Sequence, residues 1–242
     1  RFGYLLLWPS NIMLALKLGL SLPSSNSIGG FNPFIESSLL AWYKNKAQVA
    51  NISGVVAWGD SSKNQYDLLQ LGAVTERPSY DAATGGVTFD KTLSQNLYLD
   101  EVGFTQISIT GEFSIGVKIN PTDFGGTILG DNNTSNEFIK YFSTSIIRLK
   151  IDGVAVNLSL NSGTFGDGYI LLTRDSSDLV KLYYNGVLQT DTETITGTFD
   201  IDSMGIRAVD TSPLDAEIFE AQIYTSESAD LSSNINEYLA NI

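Results

Sequence analysis

"LVKLYYNGVLQT", Leu179 to Thr190, is a pair of short strand-forming runs closed around Asn185-Gly186. A two-residue connection of this kind needs positive φ at both central positions, which Asn and Gly tolerate, so the two runs are expected to be antiparallel neighbours. "LKIDGVAV", Leu149 to Val156, repeats the device around Asp152-Gly153. Outward from these hairpins the chain continues in kind, through "GVVAW", "GGVTFD", "LYLD", "ISITGEFSIGVKI", "TILG", "YILLTRD", "MGIRAV" and "EIFEAQIY", each bounded by Gly, Asn, Asp or Ser. That spacing marks an all-β sandwich or barrel. One segment departs from it. In "ADLSSNINEYLANI", Ala229 to Ile242, the residues Leu231, Ile235, Tyr238 and Leu239 recur at helical spacing, so a short helix is expected to lie against the sandwich as a cap.

Composition narrows the function. The 242 residues suffice for one large β domain, and 43% are hydrophobic against only 17% charged, the balance of a turn-rich β protein. Acidic residues outnumber basic ones 27 to 14, a net charge of −13, and the basic residues are scattered along the chain without a run. Nucleic acid and anionic membrane surfaces both require a positive footprint, so neither is an expected partner. Histidine and cysteine are absent, which removes Ser-His-Asp and Cys-His catalysis, His or Cys zinc sites and disulfides together.

The first 34 residues read differently from the rest. In "LALKLGLSL" the residues Leu14, Leu16, Leu18, Leu20 and Leu22 alternate with Ala, Lys, Gly and Ser, the pattern of a strand with one apolar face. Burying such a row is worth roughly 1.5–3 kcal/mol per leucine before entropy, so the arm is expected to dock on its own domain or on another subunit. Arg1, Pro9, Ser10, Asn11 and Lys17 interrupt any continuous membrane-spanning run. From Leu22 to Gly30 the chain has the composition of a linker, and residues 35–242 form the domain proper.

Three groups of residues are candidates for chemistry. Asp215, Glu217 and Glu220 in "DAEIFE" imitate the paired carboxylates of retaining β-glucanases, with the first two acids exchanged in type. Without a bulge, Glu217 and Glu220 would point to opposite faces of a strand and could not share a substrate, and the segment would be a late strand with Phe219, Ala221 and Ile223 packed on one face. The loop "GDNNTSNE" collects Asp131, Asn132, Asn133 and Glu137, donors suited to calcium or a sugar, although the same residues are ordinary turn formers and the EF-hand spacing is missing. Trp42 and Trp58 would stack on sugar rings if exposed, but both sit in apolar runs that favour core packing. Sequons at Asn51, Asn132, Asn133 and Asn157 would matter only in a eukaryotic secreted protein.

"VVAWGDSSKNQYDLLQ", "RPSYDAATGGVTFD", "GEFSIGVKIN", "DGYILLTRDSSDLVKLYYNGVLQ" and "EIFEAQIY" occur in that order. Together they resemble a concanavalin A-like, laminin G-like domain. Its landmarks fall on Trp58, Asp60 and Ser62, on Gly86, Phe89 and Asp90, on Asn185-Gly186, and on Glu217 to Tyr224. The arm plus domain is similar to accessory structural proteins of tailed phages. The resemblance implies a two-sheet antiparallel jelly-roll sandwich and a role in decorating heads or building fibres.

The expected architecture is therefore an arm and linker, residues 1–34, before a β-sandwich, residues 35–242, with a short C-terminal helix. The expected function is a non-enzymatic virion structural protein whose arm adds a strand to a neighbouring virion subunit or to a second copy of itself. The alternative is a carbohydrate-binding module of a fibre or a secreted protein. No cofactor is required by either, and calcium at the Asp131–Glu137 loop is the one metal the sequence leaves open. A glycan hydrolase acting through Asp215, Glu217 and Glu220 is the third reading.

Overall fold

The computed structural model describes residues 30–99, 106–208 and 211–242. Asn32–Ile242 forms a compact unit of its own. The leucine row Leu14, Leu16, Leu18, Leu20 and Leu22 lies outside the described residues.

Asn32–Ile242 is a two-sheet antiparallel β-sandwich. With strands numbered in chain order, the first sheet runs β16 (Val187–Thr194), β15 (Leu179–Tyr184), β14 (Gly168–Arg174), β9 (Phe113–Pro121), β19 (Ala216–Tyr224), β6 (Gly86–Phe89) and β5 (Ser79–Asp81), and β1 (Leu39–Tyr43) also pairs with β19. The second sheet runs β13 (Val154–Ser159), β12 (Ile146–Ile151), β11 (Phe138–Ser143), β10 (Thr127–Gly130), β18 (Ser203–Met204), β7 (Leu97–Tyr98), β4 (Leu68–Leu69), β3 (Val55–Trp58) and β2 (Val49–Asn51). A separate pair joins β8 (Ile107–Thr110) to β17 (Thr198–Ile201). Both expected hairpins form as read. Asp152 and Gly153 have φ of 48° and 80°, Asn185 and Gly186 of 48° and 77°, and each turn joins adjacent antiparallel strands.

Alternation decides which side chains meet between the sheets. Val117, Ile119, Ile170, Leu172, Ile218 and Ile223 from the first sheet pack into one cluster with Leu129, Ile139, Ile147, Leu149, Ile151 and Leu158 from the second. An edge-to-face aromatic chain spans the gap, with Tyr141 and Phe165 centroids 5.1 Å apart and Phe165 and Tyr184 centroids 5.2 Å apart. Arg174 is fully buried, and its guanidinium is spread over the carbonyls of Gly111 (2.6 Å), Gly197 (3.0 Å), Ile109 (3.4 Å) and Ile195 (3.5 Å), tying the β8–β17 pair to the first sheet. Asp60, from the Trp58-x-Asp60-x-Ser62 landmark, is a brace of the same kind. It accepts from the Trp42 N–H (2.8 Å), the Ser62 N–H (2.8 Å) and hydroxyl (2.6 Å) and the Tyr66 N–H (3.0 Å).

The C-terminal helix α1 (Ala229–Ala240) starts at Ser228, whose hydroxyl accepts from the Leu231 N–H, and it buries Leu231, Ile235 and Leu239. It covers the outer face of the first sheet at Gly116. A Cβ there would stand 2.9 Å from both Ile235 Cγ2 and Leu239 Cδ1, so the glycine is what lets the helix seat this closely.

Candidate functional site

No helix covers the corresponding face of the second sheet among the described residues. Register fixes what that face displays. β11 pairs with β12 as Phe138↔Lys150, Ile139↔Leu149, Lys140↔Arg148 and Tyr141↔Ile147, and β12 pairs Arg148 with Asn157 of β13. Ile139, Tyr141, Ile147 and Leu149 belong to the core, so Phe138, Lys140, Arg148, Lys150 and Asn157 face outward. Arg148 Nε donates to Asn157 Oδ1 at 2.8 Å, and its guanidinium lies 3.5 Å from the centroid of Phe142, a ring that is 42% exposed. Arg207 arrives from the turn after β18. Gly130 on β10 leaves room for it, because a Cβ there would meet Ile206 O at 2.9 Å and Arg207 Cβ at 3.0 Å.

Phe138 is buried, and three cations lie around its ring. The Arg207 guanidinium lies 4.3 Å from its centroid and the ammonium groups of Lys140 and Lys150 each 5.9 Å. Burial lowers the Lys140 pKa, and the charges of Arg207 and Arg148 lower it further; Arg207 is lowered in the same way by burial and then by Arg148. Neither of the two salt bridges among the described residues, Lys91–Asp123 and Lys181–Asp175, involves these groups.

The loop carrying Asp131, Asn132, Asn133 and Glu137 borders this face and is tied to it by Lys150 Nζ, which donates to Ser135 O at 2.9 Å. Its carboxylates turn inward. Asp131 accepts from the Asn133 N–H (2.7 Å) and Glu137 from the Asp152 N–H (3.2 Å), and the Thr134 hydroxyl, with one proton, stands between them at 3.0 Å from Asp131 and 3.1 Å from Glu137. Asp202, which the sequence reading passed over, closes the loop from the far side by accepting from the Asn132 N–H (2.7 Å) and Asn133 Nδ2 (3.0 Å). Burial, with Asp131 adding to it, pushes the Asp202 carboxyl up to about 6, and burial also raises Glu137. Five of the six carboxylate oxygens thus accept a hydrogen bond at any one time. No group of three or more acidic side chains converges in a metal-holding arrangement among the described residues. A calcium ion here would compete with the loop's own donors.

The strand with the glucanase-like acids contains the bulge on which the sequence reading turned. Ile218 pairs with Ile119 and Glu220 with Lys118, leaving Phe219 unpaired. Glu217 and Glu220 therefore share the outer face, contrary to the opposite placement expected of a regular strand. They still do not form a catalytic pair. Glu220 is fully buried, accepting from Trp42 Nε1 (2.6 Å), Gln222 Nε2 (2.7 Å) and the Asn45 N–H (3.1 Å), while Glu217 accepts from the Thr84 hydroxyl (3.3 Å). The backbone carbonyl of Asp215 accepts from the Thr122 (2.9 Å) and Asp123 (3.2 Å) N–H groups. Trp42 (4% exposed) and Trp58 (0%) are both interior, so neither offers a sugar platform.

Domain 4 of AbnA, a GH43 extracellular arabinanase from Geobacillus stearothermophilus solved in complex with arabinotriose, matches 84% of this chain and 98% of its own, with a TM-score of 0.54 at 14% identity. The binding domain of Paraclostridial Mosquitocidal Protein 1 matches 84% of this chain and 52% of its own, with a TM-score of 0.55 at 13% identity. The likeness is one of fold. A shorter match, with a TM-score of 0.41 over 53% of the chain at 18% identity, is to the CBM40 of a Ruminococcus gnavus IT-sialidase bound to α2,3-sialyllactose. No protein-family model and no curated protein sequence matches the chain.

The residues missed from sequence are the cationic ones. Lys140, Arg148, Lys150 and Arg207 lie on three separate segments and look scattered, yet sheet pairing and one turn bring four of the chain's 14 basic residues to a single face. A partial signal exists in "IIRLKI", where alternation already puts Arg148 and Lys150 on one side.

Proposed function

We propose that this chain is a non-catalytic carbohydrate-binding module whose ligand lies on the outer face of the second sheet, beside the Asp131–Glu137 loop. The observation that carries the reading is the exposed Phe142 ring stacked under Arg148, with Asn157 holding the guanidinium. An aromatic surface flanked by fixed polar donors is what a sugar ring with apolar C–H faces and hydroxyl edges requires. The arabinotriose complex of the AbnA domain supports it by showing that a sandwich of this fold takes a sugar. The sealed position of Glu220 supports binding without turnover. Attachment in a virion rested on the leucine arm and on the texture of the chain, and nothing on the described residues adds to it, so it takes second place. No helix among the described residues is long and apolar enough to cross a membrane. A module displayed on a fibre or secreted is the setting that fits.

A glycan array followed by titration calorimetry on the full chain, with calcium and with EDTA, tests this. Binding that is unchanged by EDTA and weakened by Phe142→Ala is the expected result. No binding to any glycan class at millimolar concentration would overturn it.

A further inference from the structure

We infer that the ligand of this face is an acidic glycan, and that Arg148, Lys140 and Arg207 receive its carboxylate or sulfate group. The inference rests on the carbohydrate-binding reading and adds the charge of the sugar. A chain with net charge −13 repels anions on average, yet it places Lys140, Arg148, Lys150 and Arg207 together on one face. Crowding like charges is unfavourable: burial is the main cause that lowers the Lys140 and Arg207 pKa values, and the neighbouring cations lower both further. A counter-charge would relieve that repulsion.

Arg174 and the cations of this face differ in how far their donors are spent. Arg174 delivers its donors to four carbonyls. Among the described residues, the Arg207 side chain lies over Phe138 and donates one hydrogen bond, to the Ser212 hydroxyl (3.2 Å), and its Nε is buried without any partner. Arg148 spends only Nε, on Asn157, and Lys140 lies over Phe138 without a hydrogen bond. The Arg148 guanidinium lies 3.5 Å from the Phe142 centroid and Asn157 fixes its Nε side, which leaves the two Nη groups as the planar fork that suits a carboxylate or sulfate. Four cations make a spot and not a track, and the acidic remainder of the surface opposes a polyphosphate chain. An anionic group on a sugar is therefore favoured over nucleic acid.

The test is calorimetric titration of the full chain with trigalacturonate and 3′-sialyllactose, each beside a neutral counterpart (galactotriose, lactose), and with a single-stranded oligonucleotide. The variants are Arg148→Gln and Lys140→Gln, checked for an unchanged melting temperature. The expected result is an acidic sugar bound at least about tenfold tighter than its neutral counterpart, with that preference lost in Arg148→Gln and weakened by about 1 M salt. Equal binding of acidic and neutral sugars would overturn the inference while leaving carbohydrate binding standing. Tighter binding of the oligonucleotide, or an acidic preference that survives both substitutions, would also overturn it. Binding of neither sugar class would remove the carbohydrate reading itself.

Discussion

The two outer faces of the sandwich are built by the same alternation and end in opposite conditions. On the first sheet, Glu220 and Gln222 point outward but lie sealed by Trp42 and the side that α1 occupies. Trp42 Nε1 and Gln222 Nε2 donate to Glu220, and the Tyr224 hydroxyl donates to Gln222 Oε1 at 2.7 Å. The carboxylate of Glu220 and the amide of Gln222 are each engaged by these neighbours, as burial requires. On the second sheet, Arg148, Lys140 and Arg207 keep donors in hand, over rings that hold them in place. An acid in a suggestive motif was thus the structural residue. The unremarkable cations are the ones available to a ligand.

The comparison breaks first at the sealed face. Trp42→Ala should cost about 3–5 kcal/mol in denaturant unfolding, because it opens a cavity and removes a donor from a buried carboxyl; sugar affinity of the folded fraction should not change. A loss below about 1 kcal/mol would mean that the first face is not closed as described. Phe142→Ala should do the reverse, lowering sugar affinity about 3- to 10-fold in calorimetry with stability held within about 0.5 kcal/mol.

A pH series sharpens the contrast further. Asp202, Glu137 and Glu220 all hold their protons more tightly when folded than when unfolded, chiefly through burial. Such groups stabilise the fold below the ordinary carboxylate range, and the benefit fades as pH rises through about 6 for Asp202. The melting temperature should therefore be higher at about pH 5 than at about pH 7.5, with Asp202→Asn reducing the difference by on the order of 2–4 °C. Below the ordinary range the sign reverses. Asp175, held at about 2 mainly by its hydrogen bond from the Ser177 hydroxyl, contributes stability above its unfolded value that is lost on further acidification. The smallest effect concerns the arm. Asn32–Ile242 is a compact unit of its own, so removing residues 1–31 is expected to leave the melting temperature of the sandwich unchanged. Light scattering on the same pair of proteins would then show whether the leucine row holds a partner.

Much of the frame was legible because its causes are local. Asn185-Gly186 and Asp152-Gly153 impose positive φ wherever they stand, and Leu231, Ile235 and Leu239 define one helical face whatever they meet. The placement of Asp131 and Glu137 in one loop was also local, but Asp202, 71 positions after Asp131, enters only through the pairing of β10 with β18. The bulge at Phe219 left no mark in "DAEIFEAQIY", since nothing there distinguishes a regular strand from one that skips a residue.

The sequence by itself determined an all-β chain with hairpins, a C-terminal helix and no histidine or cysteine chemistry, because turn residues and periodicity act over a few positions. Only the tertiary structure decided which outward face is covered and which cations share it. Covering Glu220 and gathering Lys140, Arg148 and Arg207 both depend on strands and a turn far apart in the chain, and long-range register is not written in any single segment.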